Sequence, residues 1–128
     1  MTTNETQFFR DTYPFEILKR HIFPEFQQRR AGQMRIWSAG CSSGQEAYSA
    51  LMTAQEYNEE GGRLELDVVG TDISQVMIQQ ATAGRYSASE IKRGLDQHRL
   101  NKYFVQIDAA TWEVRPELRR RTSFRQHN

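Results

Sequence analysis

"RIWSAGCSSGQEAYSALM" (Arg35–Met52) decides how the chain folds. A short apolar run breaks at Ser38 into small residues and restarts as a run of good helix formers. A strand that turns tightly into a helix through Gly40 and Gly44 leaves its backbone bare at the strand's carboxyl end, where a ligand can approach closely. The spacing is Gly-x-x-x-Gly. It departs from the Gly-x-Gly-x-x-Gly dinucleotide fingerprint, and no Lys-Ser/Thr follows as a phosphate-binding loop requires. Glu46, in the first helical turn, would repel a pyrophosphate but can accept hydrogen bonds from an ammonium or lie near another cation. The hollow is therefore predicted to take a positively charged ligand. Ser43-Gly44-Gln45-Glu46 also fits a capping box, in which Glu46 reaches back to its own helix start, and for Glu46 taken alone the capping role is favoured.

Working outward, Gly61-Gly62 stops the helix and "LELDVVGTD" (Leu64–Asp72) reads as a second strand. Asp72 ends that strand, where an acidic side chain in an α/β nucleotide site hydrogen-bonds the two ribose hydroxyls. Asp72-Ile73-Ser74-Gln75 has capping-box form as well. Taken together, a small-residue turn after one strand and an acid after the next suit a nucleoside with a cationic tail, which describes S-adenosylmethionine.

Elsewhere the signals alternate between helix and strand. Phe15, Leu18, Ile22, Phe23 and Phe26 fall on one helical face, with Pro14 at the first helical position. "SQVMIQQATAG" reads as a short helix ended by Gly84, and "SASEIKRGLDQHRLNKYF" as one or two more helical turns interrupted by Gly94. After Phe104 come short runs that suggest small strands around a turn, then a last strand near Thr122 to Gln126. The order argues for a right-handed parallel βαβ unit. The expected organisation is an N-terminal helical segment over 1–30, a βαβ core over 31–103, a small β-subdomain over 104–121 and the start of a further core strand over 122–128.

Composition excludes several classes. The 128 residues are 38% hydrophobic and 26% charged, as expected of one soluble domain or part of a larger one. No apolar run approaches the ~20 residues that cross a bilayer, and polar residues follow Met1 where a signal peptide is apolar. A cytoplasmic protein with no membrane insertion is expected. One cysteine, Cys41, precludes an internal disulfide; His21, His98 and His127 are too scattered for metal ligands. No metal is expected. The net charge of +1 hides an asymmetry: residues 1–83 carry seven Lys/Arg against eleven Asp/Glu, and residues 84–128 carry ten against five. Arg115, Arg119, Arg120, Arg121 and Arg125 form a cluster that either steers an acidic partner or lies on a solvated strand-and-turn surface. Nucleic acid is not expected, because the neighbouring aromatics fit strand or core positions.

The motifs carry a more specific resemblance. "TNETQFFRD" (Thr3–Asp11), "RIWSAGCSSGQEAYS" (Arg35–Ser49), "GTDIS" (Gly70–Ser74), "AGRYSASEI" (Ala83–Ile91), "LNKYF" (Leu100–Phe104) and "FRQHN" (Phe124–Asn128) occur in the order seen in CheR-type chemotaxis-receptor methyltransferases, which this chain resembles over nearly its whole length. The resemblance implies an α/β fold: a partial Rossmann-like S-adenosylmethionine-dependent methyltransferase fold with a parallel βαβ core and a small inserted β-subdomain. It also implies an enzyme that methylates glutamate side chains of methyl-accepting chemotaxis receptors and releases S-adenosylhomocysteine.

By the same resemblance Asn4, Thr6 and Arg10 contact the cofactor, with Arg10 nearest methyl transfer and so the candidate catalytic residue. Gly40, Gly44, Glu46 and Asp72 belong to the cofactor site, and Asn128 lies close to the adenine. Gln45 and Ala47 depart from the family, where an acid and a proline are common. Family members also carry a helical domain before the asparagine-threonine motif and more strands after Asn128. A fragment is the expectation, with half the site open, weak cofactor binding, little turnover alone, and an unpaired first-strand edge that invites self-association. A substrate glutamate, with a pKa of ~4.3, is already ionised, so the reaction needs alignment and exclusion of water rather than a strong base. Two other readings remain: a non-catalytic module that binds S-adenosylmethionine or a receptor tail, and a nicotinamide oxidoreductase, which the missing glycine pattern disfavours.

Overall fold

The computed structural model describes residues 6–30 and 32–127. It begins with α1 (Tyr13–Ile17), a π-helical turn (Leu18–Ile22) and α2 (Phe23–Arg30). The sequence predicts one uninterrupted helix here, and Pro24 is the reason for the difference. It has no N–H for the Arg20 carbonyl, and its ring would press on that carbonyl in a regular helix. The wider turn lets the Phe23 N–H reach the Leu18 carbonyl instead. The inserted residue rotates the helical face. Phe15 and Phe23 remain buried, whereas Ile22, expected on the same face, is 41% exposed.

The chain continues as β1 (Gln33–Ala39), α3 (Gln45–Glu59), β2 (Glu65–Asp72), α4 (Gln75–Ala83), β3 (Arg85–Ser87), α5 (Ala88–Lys92), α6 (Gln97–Tyr103), β4 (Phe104–Asp108), β5 (Thr111–Val114), α7 (Pro116–Arg119) and β6 (Thr122–Gln126). Strands β1, β2 and β6 form a parallel sheet in that order. Its inward residues Leu66 and Val68 join the core that also holds Leu51 and Met52 of α3. Among the described residues β1 has no partner along its outer edge, and Trp37 on it is 65% exposed. The mixed α/β architecture and parallel core match the fold class expected from sequence.

A second, antiparallel sheet runs β3-β5-β4. Two elements here are absent from the sequence reading: β3 is three residues long, too short to show alternation, and α7 is a single turn started by Pro116. Phe8, Tyr48, Tyr86 and Phe104 join the two sheets. Their rings meet edge to face, with centroids 5.0 Å apart for Phe8–Tyr86 and 5.5 Å for Phe8–Phe104, the arrangement favoured by aromatic quadrupoles.

Three of the five clustered arginines are used inside the chain. Arg115 donates to the Asn101 and Lys102 carbonyls at the end of α6, Arg119 to the Val114 carbonyl, and Arg121 pairs with Asp67. Arg120 and Arg125 have no ion pair among the described residues. Among those residues, too, no helix is long and apolar enough to cross a membrane.

Candidate functional site

The carboxyl ends of β1 and β2 open onto a hollow of ≈ 900 Å³. Its floor is the loop between β1 and α3. The Cys41 N–H donates to the Thr71 carbonyl at 2.8 Å, which ties the loop to β2. Gly40 (φ 67°) and Gly44 (φ 97°) adopt left-handed backbone. A Cβ on Gly40 would meet nothing within 4 Å, so this position faces open space. At Gly44 the same atom would lie 3.0 Å from Ala81 Cβ and 3.1 Å from the Tyr86 hydroxyl. The first glycine leaves the hollow bare, and the second allows close packing beneath it.

Glu46 and Asp72 both line this hollow. From Gln45 to Ala54 every residue is buried except Glu46. Its Oε1 accepts a hydrogen bond from Ser38 Oγ at 2.7 Å. The capping-box alternative does not hold for it: Gly44 is the N-cap without any side-chain cap, and Ser43 Oγ donates to Gln45 Oε1. Asp72 is not a helix cap either. Ser74 caps α4 by accepting the Met77 N–H. The Asp72 carboxylate is held by two backbone groups, with Oδ2 accepting the Ser42 N–H at 2.8 Å and Oδ1 the Ser74 N–H at 2.9 Å. Each of its oxygens keeps a further lone pair for a ligand hydroxyl.

The N-terminal motif supplies the facing wall. Thr6 and Arg10 line the hollow, and Thr6 Oγ1 donates to Ser42 Oγ at 3.1 Å. Arg10 is exposed and has no ion pair among the described residues. Asn4 and Asn128, also expected at the site, lie outside the described residues. The structure thus brings Thr6, Arg10, Gly40, Glu46 and Asp72 around one space, with Gly44 packed beneath.

Other residues shape the site without having been singled out from sequence. Ser38 fixes Glu46, Ser42 joins Thr6 to Asp72, and Trp37, Ile73 and His127 line the rim. Tyr86 supports the loop from below by donating its hydroxyl to the Ser43 carbonyl at 2.6 Å. Burial pushes that phenol well above its ordinary pKa. The signal for Ser38 and Ser42 was adjacency to the two glycines; the role of Tyr86 depends on a contact 43 residues away in sequence. Cys41 sits in the loop, 2% exposed. Burial first, then the Asp72 and Glu46 charges, push its thiol up to about 11. Two carboxylates around a glycine floor suit a cationic ligand with hydroxyls, and the residues present fit an adenosyl sulfonium.

Comparisons with known proteins agree with this geometry. Residues 4–128 match the family described as CheR methyltransferase, SAM binding domain. The chain is 46% identical to chemotaxis protein methyltransferase Cher2 of Pseudomonas putida and to chemotaxis protein methyltransferase 1 of Pseudomonas aeruginosa, and 38% identical to the chemotaxis protein methyltransferase of Vibrio parahaemolyticus. Each alignment covers 100% of this chain and 47–48% of the relative, so the chain spans about half the length of the curated relatives it matches. The glycine floor, its two acids and the match over residues 4–128 lead to one assignment: the chain belongs to the CheR methyltransferase family, in its S-adenosylmethionine-binding domain.

Proposed function

We propose that the hollow over Gly40 binds S-adenosylmethionine, and that the protein containing this chain methylates glutamate side chains of chemotaxis receptors in the cytoplasm, releasing S-adenosylhomocysteine. The observation that carries the reading is the placement of Glu46, from the first turn of α3, and Asp72, from the end of β2, on one hollow with a bare glycine floor. Asp72, held by two N–H groups, accepts the ribose hydroxyls. Glu46, held by Ser38, lies near the cationic end. Gly40 and Gly44 let the backbone approach the ligand, Thr6 ties the N-terminal motif over it, and Asn4 and Asn128 complete the cofactor contacts.

When bound, the cofactor supplies an electrophilic methyl group on a sulfonium. Arg10, exposed beside the hollow, contacts the cofactor there and offers a planar fork that holds and orients the incoming carboxylate. No proton need be removed from a glutamate that is already ionised at neutral pH. The chain's task is alignment and exclusion of water. On this reading the βαβ core over 31–103 carries the cofactor, and the β-subdomain over 104–121 meets the receptor. The outer edge of β1 favours self-association when the chain stands alone.

Titrating the chain with S-adenosylhomocysteine tests the site. Weak but saturable binding is expected, lost in Asp72→Ala; equal affinity in that variant would remove the assignment. Transfer of labelled methyl to receptor by the whole protein tests the reaction, and its absence alongside intact cofactor binding would favour a non-catalytic module.

A further inference from the structure

The segment that brings Arg10 to the hollow has an uncommon backbone. Phe9, Asp11 and Thr12 have φ of 51°, 64° and 53°, in the left-handed region that is unfavourable for bulky and β-branched residues. None is glycine, so contacts from elsewhere must hold the conformation.

Those contacts converge on Phe9, which is 6% exposed. From α3, Ser49 Oγ accepts the Phe9 N–H at 2.9 Å. From α6, the Arg99 guanidinium lies over the Phe9 ring with Cζ 3.8 Å from its centroid. Glu56 holds that guanidinium by two hydrogen bonds, Nε to Oε2 at 2.7 Å and Nη2 to Oε1 at 3.1 Å. A planar fork can stack on a ring and pair with a carboxylate at once; an ammonium cannot. The segment is also a partition. Arg10, Asp11 and Pro14 line the ligand hollow, whereas Phe9 and Thr12 line a separate cavity of ≈ 130 Å³ with Arg99 and Glu56.

We propose that Arg99, gripped by Glu56 and stacked on Phe9, is a positioning residue that holds the left-handed turn and so sets where Arg10 meets the ligand hollow. The proposal rests on the reading that the hollow takes S-adenosylmethionine and that Arg10 serves there. Arg99 does not line the hollow. Its influence passes through Phe9 to the next residue in the chain.

The test has two arms on this chain. Without ligand, backbone ¹⁵N heteronuclear NOEs of Arg10, Asp11 and Thr12 are expected to match those of α3. In Arg99→Met and Arg99→Lys they fall at these three residues while α3 and β2 keep theirs. Unchanged order at residues 10–12 in both variants overturns the proposal, and so does an even loss across α3 and β2, which marks general destabilisation. With S-adenosylhomocysteine as probe, Arg99→Met is expected to raise the dissociation constant about fivefold, and this effect disappears in an Arg10→Ala background. The same rise in both backgrounds means that Arg99 does not act through Arg10, which also overturns the proposal. If Asp72→Ala leaves probe affinity unchanged while residues 10–12 still loosen selectively in Arg99→Met, the reading of the hollow fails and the hold on the segment stands.

Discussion

The chain makes left-handed turns in two places beside the hollow, and it makes them by different means. After β1 the residues concerned are Gly40, Ser42 and Gly44; in the N-terminal motif they are Phe9, Asp11 and Thr12. Glycine adopts such φ values without a Cβ penalty, so the first turn is largely encoded where it occurs. Only Ser42 needs outside help, from Asp72 and Thr6. The second turn contains no glycine and depends on Ser49, Arg99 and the packing of Phe8 and Phe9. Weakening long-range contacts should therefore loosen the N-terminal segment before the glycine loop.

The largest effect is expected where that packing has no slack. Gly94 (φ 87°) abuts the segment, and a Cβ there would fall 1.9 Å from the Phe8 carbonyl oxygen, a backbone atom. Gly94→Ala should cost about 4 kcal/mol or more, combining left-handed strain with a backbone displacement, measured as a lower urea midpoint. Gly40→Ala provides the contrast. Its Cβ meets no atom within 4 Å, so only about 1–2 kcal/mol of backbone strain is expected. That variant should stay folded yet lose affinity for S-adenosylhomocysteine, because its methyl projects into the hollow.

Cys41 reports on the glycine loop. With its thiol pushed up to about 11 from 9.0, the folded chain should hold roughly 100-fold less thiolate at pH 8 than the unfolded chain, and iodoacetamide alkylation should slow accordingly. The same shift gives a pH dependence. The folded state retains the proton more tightly, so the thiol's contribution to stability is complete below pH 9 and is lost as the pH rises towards about 11. Slow alkylation that persists in an Arg99→Met variant would sharpen the contrast; fast alkylation there would show that the two turns loosen together.

What is local in this structure is legible in the sequence. Gly40, Gly44, the helix stop at Gly61 and the cap at Gly84 stand on backbone geometry that glycine alone takes easily, and β1, α3 and β2 follow their apolar patterns. The position of Asp72 after β2 follows from chain order in a parallel unit. Ile22 leaves the face that the helical period gives it, because that period assumes regular hydrogen bonding, which Pro24 interrupts. For Glu46 alone the local pattern favours capping, since both roles place an acid in the first helical turn; the Ser38 hydroxyl across the loop decides against it. Tyr86, Ser49 and Arg99 were invisible for a common reason. Tyr86 and Ser49 act on segments some forty residues away in sequence and Arg99 on one about ninety away, and nothing in their neighbours marks these contacts.

A moderate effect is expected at Ser49, which is fully buried. Ser49→Ala leaves the buried Phe9 N–H without an acceptor, which should cost about 1–3 kcal/mol. Hydrogen exchange should speed up at Phe9 ahead of the amides of β2. Equal acceleration in β2 would mean that the segment and the core open as one unit, against the distinction drawn between the two turns.

The smallest predicted change runs in the stabilising direction. Thr12 is exposed, β-branched and left-handed, and its side chain makes no capping bond to α1. Thr12→Gly removes the Cβ conflict but widens the unfolded ensemble, two effects of about 1 kcal/mol each and opposite sign. With ψ of −49° Thr12 lies outside the small left-handed well that asparagine tolerates, so Thr12→Gly should raise the urea midpoint by more than Thr12→Asn. If both variants lowered it, the Thr12 side chain would be supporting the segment through contacts at the small cavity it lines, and the turn would owe less to Phe9 than the Arg99 and Ser49 contacts imply.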